Sequence, residues 1–112
     1  MKDPKATDLF REVAAKTAMH RIQWEPSATD DLVAAIGGEF TLRLFPYRGE
    51  DPDEPDYALV LDDAQGRQLI RVDSEEEGVP LHRPRDLYEA ARYQALRVDE
   101  KLDRVLGELA KL

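Results

Sequence analysis

DDLVAAIGGEFTLRLFPY, residues 30–47, reads as two short strands meeting at a pair of glycines. Gly37 and Gly38 can both take positive φ, which a two-residue primed hairpin turn requires. The spacing predicts strands over 32–36 and 39–45. Phe40, Leu42 and Leu44 then share one face, with Glu39, Thr41 and Arg43 opposite. A strand with one apolar and one polar face belongs to an antiparallel sheet covered on one side.

The same pattern recurs downstream. In YALVLDDAQGRQLIRV (57–72), Tyr57, Leu59 and Leu61 alternate with Ala58 and Val60. DDAQGR makes a turn with Gly66 at its left-handed position, and Ile70 and Val72 continue the buried face. Upstream, HRIQWEP (20–26) alternates through Ile22 and Trp24 and is expected to stop as a strand at Pro26.

The two ends of the chain are helical. In ATDLFREVAAKTA (6–18), Leu9, Phe10, Val13, Ala14 and Thr17 fall on one face, with Thr7 as the expected N-cap of a helix over 7–19. The last helix is expected to start at Arg85–Asp86, with Asp86 and Glu89 as an Asp-led capping box. With no helical crossover between strands, a parallel sheet is disfavoured. The predicted fold is α+β: an antiparallel meander of about five strands, with an N-terminal helix and a long C-terminal amphipathic helix packed on one face. Residues 1–112 are expected to form a single domain.

Composition narrows the chemistry. The chain is acidic, with net charge -8, and 36% of its residues are charged. No basic cluster is present to neutralise phosphates, so nucleic-acid binding through phosphate contacts is not expected. A basic protein partner is the complementary expectation. There is no cysteine, which removes disulfides, thiolate nucleophiles and cysteine metal sites. No apolar run approaches the roughly 20 residues that span a bilayer. The first residues lack the apolar core of a signal peptide, so a cytoplasmic location is expected.

Constellations that could carry catalysis are weak. Asp51, Asp53, Glu54 and Asp56 lie in a loop interrupted by Pro52 and Pro55, without the glycine and glutamate spacing of a calcium loop. DSEEE (73–77) reads as a hydrated acidic linker. His20 and His82 fall near the ends of different elements and form no HExxH-type spacing. No serine sits in a strand-to-helix elbow. No metal and no cofactor is expected, and an enzyme is disfavoured. Trp24, the only tryptophan, is expected in the core.

What remains is the closing stretch, LYEAARYQALRVDEKLDRVLGELAKL (87–112). Tyr88, Ala95, Leu102 and Leu109 recur every seventh residue, as do Ala91, Val98, Val105 and Leu112. Together they make an a/d heptad seam, with Leu87, Leu96 and Leu106 as a shoulder. A continuous helix of about 27 residues would be roughly 40 Å long, whereas five-residue strands span about 17 Å. The first half, with Leu87, Ala91 and Ala95, is expected to pack on the sheet. The second half would overhang, leaving Leu102, Val105, Leu106, Leu109 and Leu112 as an interface. That interface would take the N-terminal helix, a second copy of the chain, or another protein.

Hairpins followed by such a helix resemble, in style only, short bacterial proteins. The likeness rests on no diagnostic motif and implies no activity. Two functions are therefore expected. The first is a non-enzymatic protein-interaction module, homodimeric through its C-terminal helix; an acidic inhibitor or immunity-type protein is one concrete form. The second is a small-molecule-binding or catalytic domain, with a pocket between sheet and helix near His20, Trp24 and Tyr57.

Overall fold

A computed structural model describes residues 4–28, 30–50, 53–73, 81 and 83–112. Expectations for Asp51, for the acidic run 74–77 and for His82 lie outside these residues. The chain runs α1 (Pro4–Ala18), β1 (Glu25–Pro26), β2 (Leu32–Ile36), β3 (Phe40–Tyr47), β4 (Asp56–Asp62), β5 (Gln68–Val72), α2 (Pro84–Ala95) and α3 (Val98–Leu109). The five strands form one antiparallel sheet in sequence order, as the α+β meander requires.

Register follows the apolar faces. Leu32 opposes Leu44, and Ala34 opposes Leu42. Leu44 opposes Leu59 in turn, and Leu59 opposes Val72. These side chains form the inner face and are all buried. The β2–β3 turn holds three residues, not two, because Ile36 pairs with Phe40. Gly37 and Gly38 take φ of 64° and 77°. Closing on Glu39 instead would slip the register by one and turn Phe40, Leu42 and Leu44 outward.

β1 is shorter than its alternation suggests. Only Glu25 and Pro26 pair with β2, and the strand stops at Pro26, as expected, with Pro26 itself still in the ladder. An edge strand tolerates a residue without an N–H. The outer face is less polar than expected: Ala58 and Val60 are fully buried there. Arg71 on β5 reaches across β4 to Tyr47 and Phe45 on β3, with its guanidinium 4.7 and 5.7 Å from the ring centroids. Arg43 also lies over the Phe45 ring, at 5.5 Å, while bonding the buried Asp62 carboxylate. The Asp62 hydrogen bond holds the Arg43 pKa above its ordinary value. Stacked guanidinium and aromatic groups thus shield the middle of β4 where no helix covers it.

The helices cover the inner face. Phe10, Val13, Ala14 and Thr17 of α1 are buried, as are Leu87, Tyr88 and Ala91 of α2. Each fully buried Leu or Phe stabilises the fold by roughly 1.5–3 kcal/mol. α1 begins earlier than Thr7, with Pro4 in its first turn, where a missing N–H costs nothing. At α2 the capping box does not form. Pro84 opens the helix, and Asp86 receives two hydrogen bonds from Arg83, at 2.8 and 3.0 Å.

One polar node sits inside this core. Thr17 is fully buried, and its Oγ1 accepts the indole N–H of the buried Trp24 at 3.0 Å. The Thr17 carbonyl accepts the side-chain amide of Gln94 at 2.9 Å. Replacing Thr17 by Val keeps shape and helix propensity but strands the indole N–H in a dry site. Thr17→Val is expected to cost about 1–3 kcal/mol in urea denaturation. Thr17→Ser, which keeps the acceptor and loses one methyl, should cost about 1 kcal/mol. A Val variant as stable as wild type would refute the node.

Candidate functional site

The C-terminal stretch is two helices, not the single one its heptads suggest. Arg97 adopts a left-handed conformation, φ 53° and ψ 48°. That residue cannot continue an α-helix and turns the chain between α2 and α3. The Leu96 N–H still reaches Arg92 O, and the Arg97 N–H tightens to Gln94 O at 3.1 Å. The Arg97 carbonyl then accepts Lys101 N–H and opens α3. The Tyr93 hydroxyl donates to Asp99 at 2.5 Å across the elbow, and this bond raises the Tyr93 pKa.

Beyond the elbow nothing is buried. α3 has no buried residue, and its main contact among the described elements is with α2. Leu102 is 48% exposed, Val105 51%, Leu106 62%, Leu109 55% and Leu112 98%. The N-terminal helix, one expected cover for this stripe, packs on α2 and β5 instead. The radius of gyration, 15.6 Å, exceeds the roughly 13 Å of a compact chain of this size, as a projecting helix requires.

Of the three residues expected to line a pocket, two come together and the third lies elsewhere. His20 and Trp24 border one polar cleft with Glu25, Gln94 and Arg97. Tyr57 lies in another, beside Asp53, Glu54 and Arg85, and its ring packs 4.9 Å from that of Tyr88. The Tyr88 hydroxyl donates to Asp30 O at 2.6 Å, and burial raises its pKa. His20 is a helix terminator. Its φ is 58°, its N–H bonds Thr17 O, and the next N–H, of Arg21, bonds Lys16 O at 2.8 Å. This is a Schellman ending with His where glycine is usual.

A third concavity had no signature in the sequence. Between α1 and the turn end of the β2–β3 hairpin lies a groove of about 770 Å³. Its floor is Leu9, Val13, Ile22, Leu42 and Leu61, with Glu12, Lys16 and Arg21 at the rim. The apolar spacing of α1 reads as core, and the exposed Met19, Ile36 and Phe40 mark the place where the core stays open. Among the described residues, no group of three or more His, Asp or Glu could hold a metal ion. No helix among them is long and apolar enough to cross a membrane.

Glycine relieves a left-handed position, so His20→Gly is expected to stabilise the chain by about 0.5–1 kcal/mol, after the entropy gained by its unfolded state. Thermal or urea unfolding measures this, and a loss of stability would show that the imidazole has a structural role beyond ending α1. No family model, no curated protein and no solved structure matches this chain.

Proposed function

We propose that this chain is a non-enzymatic protein-interaction module that self-associates through α3. The observation carrying the reading is the stripe Leu102, Val105, Leu106, Leu109 and Leu112, none of it buried in the chain's own fold. Large apolar side chains contiguous along a projecting helix favour a helical partner. A concavity along the stripe is lined by Lys101, Arg104 and Glu108 beside Val105, Leu109 and Leu112.

The groove beside α1 favours a second reading, binding of a small amphiphilic anion. Its apolar floor would take an alkyl chain, and Lys16 and Arg21 would face the carboxylate. A fluorescent long-chain fatty acid should then bind saturably, and Lys16→Glu with Arg21→Glu should abolish binding. Equal binding by the variant removes this reading.

For self-association, sedimentation of the wild type should show a concentration-dependent dimer. Leu102→Asp would place an unpaired carboxylate in the interface, whose desolvation costs several kcal/mol. Because Leu102 is half exposed in the single chain, the variant should keep its circular dichroism while sedimenting as a monomer. A wild type that remains monomeric at high micromolar concentration defeats the reading.

A further inference from the structure

The pattern of charge beside the stripe specifies how two copies would meet. We infer that α3 pairs with α3 of a second copy in an antiparallel register, with Lys101 of each facing Glu108 of the other. The inference rests on the self-association reading and adds direction and register to it.

Leu102 and Leu109 occupy a positions and Val98 and Val105 d positions of the heptad. Lys101 and Glu108 are then the g residues, and Asp99 and Leu106 the e residues. In a parallel pair a g residue faces the e residue of the partner's next heptad. Lys101 would face Leu106, and Glu108 would face nothing within α3, so no charge pair forms. The acidic bodies of two chains, each chain of net charge -8, would also emerge from the same end of the pair. The helix axes would be only about 8–10 Å apart, comparable with the screening length of about 8 Å at physiological salt.

In an antiparallel pair, a faces d and g faces g. One register places Val98 against Leu109 and Leu102 against Val105 of the second copy, and by symmetry the reverse. All four layers lie within the helical residues Val98–Leu109. The same register sets Lys101 opposite Glu108 twice. Leu106 extends the contact at its rim, toward an Asp99 whose carboxylate is taken by the Tyr93 hydroxyl. Sliding by one heptad pairs Leu102 with Leu112, beyond the end of α3, and brings Glu108 against Glu108.

Within one chain, Lys101 has no ion-pair partner among the described residues. Glu108 has only the exposed Lys111 at 3.6 Å, a pair of little energetic weight. Both g residues are therefore free to meet across an interface. The two bodies come to lie at opposite ends of a helix pair roughly 18 Å long, which lowers their mutual repulsion.

Charge exchange tests the register. Lys101→Glu sets carboxylates against Glu108 at both crossings, and Glu108→Lys sets ammonium groups against Lys101. Each variant alone should raise the dimer dissociation constant about tenfold at low salt, by sedimentation equilibrium. Mixing the two variants should restore wild-type association as a heterodimer, since every crossing then joins opposite charges. The double variant should recover it as a homodimer. Circular dichroism should be unchanged throughout, because both side chains are exposed. A Lys101→Glu protein that dimerises as tightly as wild type, or a mixture that fails to recover, overturns the register and leaves self-association standing. A wild type that never dimerises overturns both.

Discussion

Thr17 is the point at which three segments of the chain are tied together. Its hydroxyl holds Trp24, the last residue before β1, and its carbonyl holds Gln94, in the last turn of α2. The same carbonyl accepts the His20 N–H that ends α1. A fully buried polar residue is tolerable only when its groups are satisfied, and here every one has a specific partner. The surrounding apolar contacts supply most of the stabilisation but little direction. The node supplies direction: it fixes where α1 stops, where the sheet edge starts and how far along α2 the body of the protein extends.

That last consequence governs the C-terminus. Gln94 is the final anchor of α2, and three residues later Arg97 turns left-handed. A non-glycine residue in this conformation costs roughly 1–2 kcal/mol, so it persists only where its surroundings hold it. The Tyr93–Asp99 bond straddles the turn and the Gln94 tie stands just before it. His20 and Arg97, each a left-handed residue at the end of a helix, border the same polar cleft. Two helix ends lashed by one side-chain amide therefore set the direction in which α3 leaves.

Period-2 alternation made the sheet legible, because an inner face of Leu32, Leu42, Leu44, Leu59 and Val72 leaves few other registers. The α1 face was legible for the same reason at period 3.6. The three-residue turn was not, since two adjacent glycines fit a shorter one equally well. The burial of Val60 was hidden because it depends on where Arg71 and Arg43 lie, on other strands. The elbow was hidden more deeply. The heptad runs unbroken through Ala95 and Val98, and nothing in QALRV marks Arg97 as left-handed where glycine or asparagine would have done so. His20, read as a weak candidate for chemistry, is likewise a helix stop that only its backbone reveals.

One repeat is used twice, and residue size distinguishes the uses. Along α2 the seam carries Ala91 and Ala95, which let the helix approach the sheet closely enough for Leu87 and Tyr88 to be buried. Along α3 the corresponding positions carry Leu102, Val105 and Leu109, which would hold a sheet at a distance but suit the spacing of two helices side by side. An α2 with large residues at those positions would be pushed off the sheet. An α3 with alanine in their place would have little to gain from a partner. The turn at Arg97 falls between the small residues and the large ones, so the backbone changes direction where the side chains change the surface they fit.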